Sequence, residues 1–277
     1  MPGSLYLVAL PIGNMEDITL RAIKTLRAVD LIVAEDTRNT RRILDRYQIK
    51  TRFHRSYYQG VEKERVVPVL GLLSDGNEIA LVSDAGTPLI NDPGYPLVRA
   101  AIAAGVTVVP IPGPTAAITA LVASGLPADR FVFAGAVPRK DGERRALLEK
   151  IRTEERTVIL YESPHRLLVT MNTLVEILPL RSIVLARELT KVHEEFLRGM
   201  PSEILAILKE RDRIKGEFVL LIERGEETGS SWDSASAIKL AELLKEEGVT
   251  NKAAIRIMVH TLGIPRNEAY RLIHPSS

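Results

Sequence analysis

Ile79-Ala80-Leu81-Val82-Ser83-Asp84-Ala85-Gly86-Thr87-Pro88-Leu89-Ile90-Asn91-Asp92-Pro93-Gly94-Tyr95-Pro96 begins as an unbroken apolar run and then turns rich in glycine and proline. Four apolar residues without polar alternation read as a strand buried on both faces, as in parallel sheets. The loop leaves the carboxyl end of that strand, where α/β sheets place ligands. Its small residues would let a flat ligand approach the backbone, and Asp84 and Thr87 could hydrogen-bond it. An ordinary long connection accounts for the loop equally well.

Outward from this stretch, similar apolar runs occur at Leu5 to Leu10, Leu31 to Ala34 and Val106 to Val109, separated by segments of helical period. That alternation predicts a parallel α/β sheet. Asp17 stands as the N-cap of a helix with Ile18, Ala22, Ile23 and Leu26 on one face, and Gly105 ends a helix from Pro96 to Ala104. No regular element can continue through Pro110, Pro112, Gly113 and Pro114, so a domain boundary is expected near Pro112. The α/β alternation resumes at Phe131 to Phe133, Val158 to Tyr161, Ile183 to Ala186 and Phe218 to Ile222. After a polar break at Gly225 to Ser231 only helical patterns follow. The expected domains are 1–112, 113–226 and a helical tail, 232–277.

With 277 residues, 45% of them hydrophobic, the chain is long enough for two domains. Its 37 basic residues nearly cancel 35 acidic ones, so any nucleic-acid site must be a local patch. The absence of cysteine excludes disulfides, thiolate zinc sites and a cysteine nucleophile. Leu5 to Leu10 lacks a basic flank and is broken at once by Pro11 and Gly13, which reads as a first strand rather than a signal peptide. No run approaches the ~20 apolar residues that cross a bilayer. A cytoplasmic protein without a membrane partner is the expectation.

Two further segments could face a ligand. Pro11-Ile12-Gly13-Asn14 follows a strand and precedes a helix, though by itself it reads better as a tight turn. Pro112-Gly113-Pro114-Thr115-Ala116-Ala117-Ile118 opens a helix with proline near its first turn and small side chains at its N-terminus, an end suited to an electron-rich group. Each motif is weak alone.

Together with Ala34-Glu35-Asp36-Thr37-Arg38, Tyr161-Glu162-Ser163-Pro164-His165-Arg166, Ala186-Arg187-Glu188-Leu189-Thr190-Lys191 and Lys215-Gly216-Glu217, in this order over the whole chain, these segments resemble the tetrapyrrole methylase family of S-adenosylmethionine-dependent enzymes. Within it they are most similar to the group that methylates a ribose 2′-hydroxyl of a cytidine in 16S small-subunit ribosomal RNA. The resemblance implies two α/β domains with S-adenosyl-L-methionine in the cleft between them, a helical appendage, a homodimer, and ribosomal RNA or the 30S subunit as partner. It places the cofactor against Pro11, the loop Ser83, Asp84, Ala85, Gly86, Thr87 and Pro88, the turn Thr115, Ala116 and Ala117, and Tyr161, Ala186 and Gly216. The chain departs from the tetrapyrrole enzymes at Pro11-Ile12-Gly13-Asn14, where they carry a glycine-rich loop, and this argues against a tetrapyrrole substrate. Around Gly135-Ala136-Val137-Pro138 it is smaller than the ribosomal RNA group's pattern.

Methyl transfer to a hydroxyl is an in-line displacement that needs positioning and no metal, and a general base would help. The candidates are Glu35, Asp36, Glu188 and Lys191, each of which could instead be a structural ion-pair partner, Glu35 with Arg38 being the obvious pair. Arg38 and Arg187 could position phosphates. The segment from Arg38 to Tyr58 carries Arg38, Arg41, Arg42, Arg46, Lys50, Arg52 and Arg55 against one acid, Asp45, with Phe53, His54, Tyr57 and Tyr58 interleaved. Cations and rings so mixed suit single-stranded RNA, and a solvated helix face with core aromatics is the plainer alternative. Asn251 to Thr261, a turn at Leu262 to Pro265 and Arg266 to Ile273 follow a helix-turn-helix pattern, with Lys252, Arg256, Arg266 and Arg271 able to touch phosphate. A compact helical cap explains it as well. Competing readings are a methylase of a small tetrapyrrole-like substrate and a DNA-binding regulator that acts through the C-terminal helices.

Overall fold

A computed structural model describes residues 2–54, 57–58, 62–225, 234–262, 264 and 266–274, without the side chains of Lys63, Ser234, Ala235, His260 and residues 266–268. Arg55, most of the Gly225 to Ser231 break, Trp232, Gly263, Pro265 and the side chain of Arg266 lie outside the described residues.

The first sheet contains β1 (Ser4–Val8), β2 (Leu31–Ala34), β3 (Arg52–Phe53), β4 (Ile79–Val82) and β5 (Thr107–Ile111), in the order β3-β2-β4-β1-β5. All its pairs are parallel, as the unbroken apolar runs predict. Alternate residues of β4 serve opposite faces. Ala80 and Val82 pack toward α1 (Leu20–Ala28) and α2 (Thr37–Arg46), while Ile79 and Leu81 pack toward α3 (Glu62–Ser74) and α4 (Tyr95–Ala103). The chain therefore leaves β1 and β4 toward opposite faces, and a crevice opens between their carboxyl ends. There Leu10 and Gly86 exchange both backbone hydrogen bonds (2.8 and 2.9 Å), which ties the two loops together.

Helix limits follow local chemistry. Gly105 (φ +72°) follows α4 as the expected left-handed stop. Asp17 is not the N-cap of α1: Asn14 caps a single turn at Met15–Asp17, Ile18 is extended, and the Thr19 hydroxyl caps α1 by accepting the Ala22 N–H (3.0 Å).

The second sheet contains β6 (Phe131–Ala136), β7 (Thr157–Glu162), β8 (Ile183–Arg187), β9 (Glu195–Gly199) and β10 (Phe218–Ile222), in the order β6-β7-β10-β8-β9. Here the uniform parallel sheet fails. Only β6 and β7 are parallel; β10 inserts antiparallel between β7 and β8, and β9 returns antiparallel to β8. Central strands are buried on both faces whichever way they run, so apolar runs carry no direction. Helix α5 (Ala116–Ser124) covers one face, with Ala117, Ala120 and Leu121 against Ile159, Val184 and Leu221. Helices α6 (Asp141–Ile151), α7 (Leu167–Ile177) and α8 (Pro201–Lys209) cover the other. Both sheets belong to one compact unit, Met1–Arg224.

A second unit, Gly225–Ser277, holds α9 (Ser234–Glu246), α10 (Asn251–Leu262) and α11 (Arg266–Ile273) around Ala237, Ala241, Ala254, Met258, Ile264 and Ala269. Among the described residues no helix is long and apolar enough to cross a membrane.

Candidate active site

A cavity of about 410 Å³ lies where the carboxyl-end loops of the first sheet meet the second, a volume in the usual range for a small-molecule site. The first half contributes Ile12, then Ala85, Gly86 and Thr87, then Ile90, Asn91 and Asp92. From the second half come Thr115 and Ala116, Ala136 at the end of β6, Tyr161 to Pro164 with Arg166, and Leu189 with Gly216 to Val219.

Local sequence explains the open walls. The Thr87 hydroxyl donates to the Pro114 carbonyl (3.1 Å), fastening the loop after β4 to the turn before α5. Thr115 is the N-cap of α5 but makes no capping bond, and both prolines of the turn lie outside the helix. The Ala117 N–H donates instead to the Tyr161 hydroxyl (3.2 Å). At Gly216 (φ +109°) a Cβ would stand 2.7 Å from Glu188 Cγ, so only glycine lets this wall close on Glu188. Leu89, Asn91, Glu188 and Thr190 all hold positive φ, a costly conformation that clusters at functional loops.

Of the residues expected to touch a cofactor, Ala85, Gly86, Thr87, Thr115, Ala116, Tyr161 and Gly216 line the cavity. Pro11, Ser83, Asp84, Pro88, Ala117 and Ala186 are not among its lining residues. Ser83 is buried, with its hydroxyl on the Ala85 carbonyl (3.1 Å). Asp84, expected to face a ligand, accepts the Asp36 N–H and the Asn39 amide (both 3.0 Å). Ala186 is interior strand.

Sequence reasoning did not single out Asp92, Glu162 and Arg166 for this wall, although all three fall within the quoted motifs. Glu162 has a fully buried side chain that pairs with Arg166 (2.8 Å) and accepts the Ser163 N–H (2.7 Å) and the Thr170 hydroxyl. Arg166 also donates to Ser163 Oγ (3.0 Å) and the Val137 carbonyl (2.7 Å).

The four candidate bases separate. Asp36 caps α2, accepting the Arg38 N–H (2.8 Å), and pairs with the Arg38 guanidinium (2.6 Å), whose hydrogen bond holds the carboxyl below its usual range. Arg38 thus pairs with Asp36 and not with Glu35, because the capping geometry turns Asp36 toward it. Glu188 bonds Lys191 (2.9 Å) and the Glu217 N–H (3.0 Å), and the Lys191 bond lowers its pKa. Burial alone would lower Lys191, but bonds to Glu188 and Glu217 raise it, so it stays a cation. Glu35 differs: burial, with the charges of Asp92, Asp84 and Asp36 adding, pushes it up to about 7 against a backbone bond from Asp84. Asp92 is likewise raised by burial to about 6; the Ser83 hydroxyl opposes this and Asp84 adds to it. Among the described residues no group of histidine and acidic side chains could hold a metal.

Outside the cavity, Arg38, Arg42 and Arg46 recur every four residues along α2, opposite the buried Thr40, Ile43 and Leu44. With Arg41, Lys50 and Arg52 they form an exposed basic stripe, in which Arg41 stacks on Phe53 (4.7 Å). Tyr57 is buried in the core and cannot stack on a ligand, whereas Tyr58 is half exposed. Arg187, expected on phosphate, donates to the Lys215 carbonyl (2.8 Å) and faces Glu195 (3.5 Å), itself held by Arg211. Lys252, Arg256 and Arg271 are exposed on the C-terminal helices.

Residues 4–205 match the family model for tetrapyrrole (corrin/porphyrin) methylases. Proteins called ribosomal RNA small subunit methyltransferase I are similar over nearly their whole length. That of Halalkalibacterium halodurans is 45% identical, covering 98% of this chain and 95% of its own, and that of Escherichia coli O157:H7 is 47% identical, covering 97% and 94%. Among solved structures, the methyltransferase CobJ superposes with a TM-score of 0.60 at 21% identity, over 80% of this chain and 94% of its own. Uroporphyrin-III C-methyltransferase of Thermus thermophilus complexed with S-adenosylhomocysteine superposes at 0.56 and 20%, over 81% and 98%. The chain belongs to the tetrapyrrole methylase family and, within it, to the family of the ribosomal RNA small subunit methyltransferases I.

Proposed function

We propose that this protein is an S-adenosyl-L-methionine-dependent methyltransferase of small-subunit ribosomal RNA, acting on the ribose 2′-hydroxyl of a cytidine in 16S RNA. The observation that carries the reading is the similarity to the ribosomal RNA enzymes, at 45–47% identity over 97–98% of this chain. A tetrapyrrole-like substrate would give the stripe on α2 no purpose.

The cavity suits the cofactor. Gly86 and Gly216 leave room at the backbone, Ala85 and Ala116 present no bulk, and Ile12 and Leu189 offer apolar contact. When bound, the sulfonium supplies an activated methyl group. The protein's share is to hold donor and acceptor in line, which contributes on the order of 7 to 11 kcal/mol in the best model systems. The residues we assign to holding it are Thr87, Thr115, Ala116, Tyr161 and Gly216, with Ser83, Asp84, Pro88, Ala117 and Ala186 shaping the wall. We assign RNA phosphates to Arg41, Arg42, Arg46 and Arg52, with Arg38 at the end of the stripe.

The same reading gives domains at 1–112, 113–226 and 232–277, a homodimer, and a cytoplasmic site of action, where small subunits are found. Exposed Ile118 and Val122 on α5 give a second copy apolar surface to cover. The test is transfer of labelled methyl from S-adenosylmethionine to small subunits lacking this modification, followed by nuclease digestion. Label on a ribose 2′-oxygen supports the reading. Cofactor binding without transfer to subunits or naked RNA refutes it.

A further inference from the structure

Among the described residues the titratable side chains lining the cavity are Asp92, Tyr161, Glu162, Arg166 and Glu217. Four are committed. Glu162 and Arg166 satisfy each other and their own loops. Glu217 pairs with Lys191 (3.0 Å). Tyr161 accepts the Ala117 N–H, and its burial keeps the phenol protonated. Asp92 alone has no cation beside it; its neighbours are the Ser83 hydroxyl and the carboxylates of Asp84 and Glu35.

We propose that Asp92 is the general base that takes the proton of the attacking acceptor hydroxyl. The inference deepens the methyltransferase reading and rests on it. As the new carbon–oxygen bond forms, the carbon–sulfur bond breaks and its electron pair leaves on sulfur. The hydroxyl proton passes to Asp92, which returns it to water after product leaves. The loop is built for a fixed carboxylate: Leu89 and Asn91, just before it, hold positive-φ conformations, and the Thr87–Pro114 bond anchors its start. A half-buried carboxyl facing like charges holds a proton more firmly than one in water, and a value near 6 keeps it ionised yet basic at neutral pH. Glu35 is raised as well, by its own burial and by the charges of Asp92 and Asp84. Asp84, Glu35 and Tyr161 are the titratable groups that face it.

The experiment uses full-length D92N with unmodified small subunits and S-adenosylmethionine. The rate kcat should fall about a hundredfold or more, with KM for both substrates moving by less than about threefold. Affinity for S-adenosylhomocysteine by calorimetry should stay within about threefold. In the unaltered enzyme log kcat should rise with pH and level near 6, a limb that D92N abolishes. A D92N rate above about a tenth of the original overturns the inference, as does a missing limb in the unaltered enzyme. A loss of S-adenosylhomocysteine affinity of about tenfold overturns it too, by making Asp92 a cofactor ligand. If the unaltered enzyme binds S-adenosylhomocysteine but transfers no methyl to subunits or RNA, the functional reading falls and this inference with it.

Discussion

Replacing Glu162 with alanine should destabilise the protein sharply. The carboxylate is wholly enclosed and accepts from Arg166, Thr170 and the Ser163 backbone. Its removal leaves a guanidinium without its counter-charge and a buried hydroxyl without its acceptor. Breaking one side of a buried ion pair costs about 3–5 kcal/mol. The low end applies, about 3 kcal/mol, because Arg166 keeps the Ser163 hydroxyl and the Val137 carbonyl and is a quarter exposed to water. In urea, with a slope of about 1–3 kcal/mol per molar, the midpoint should fall by at least about 1 M. The assay is urea unfolding followed by far-ultraviolet circular dichroism, with the slope checked for constancy. The double variant E162A/R166A should recover part of the loss, since it no longer strands a charge. A midpoint for E162A unchanged within error, or a strictly additive double variant, would refute the reasoning.

Alanine at Arg41, Arg42 and Arg46 together should weaken RNA binding and reduce the slope of log affinity against log salt by about 2, at roughly 0.7 per single-strand phosphate contact; fluorescence titrations across a salt series read this directly, and an unchanged slope would remove α2 from the RNA interface. Gly216→Ala must both strain a φ of +109° and push Glu188 away, at a cost of about 1–3 kcal/mol, and calorimetry should show weaker S-adenosylhomocysteine binding. Glu35 carries a raised pKa of about 7 in the folded protein against 4.5 ordinarily, so the folded state binds the extra proton between those values and stability falls as pH rises from 4.5 to 7. Glu35→Gln should flatten that decline, and thermal unfolding at pH 5 and 8 checks it: a pH dependence identical to that of the original protein would show that Glu35 is not its source.

Much of the architecture is legible in local sequence. The runs at Leu31–Ala34, Ile79–Val82 and Phe218–Ile222 form strands with those limits, and Gly105 ends its helix where a left-handed residue is required. Periodicity and backbone sterics act over a few residues, so they can be read without knowing the fold. The small-residue loop Ala85 to Thr87 and the turn at Thr115 and Ala116 are likewise local, and both reach the cavity. The edge strands β3 and β9 escape such reading, since one has two residues and the other, Glu-Phe-Leu-Arg-Gly, is half polar. Strand direction in the second sheet escapes it because a doubly buried strand looks the same either way. The roles of the acidic residues were decided only in three dimensions. Asp36 and Glu188 meet their cations within a few residues, whereas Glu35 is raised by burial and by Asp92 and Asp84, brought beside it from another strand's loop. A carboxylate's charge depends on what surrounds it within several ångströms, and for Glu35 the chain supplies Asp84 and Asp92 from far along the sequence.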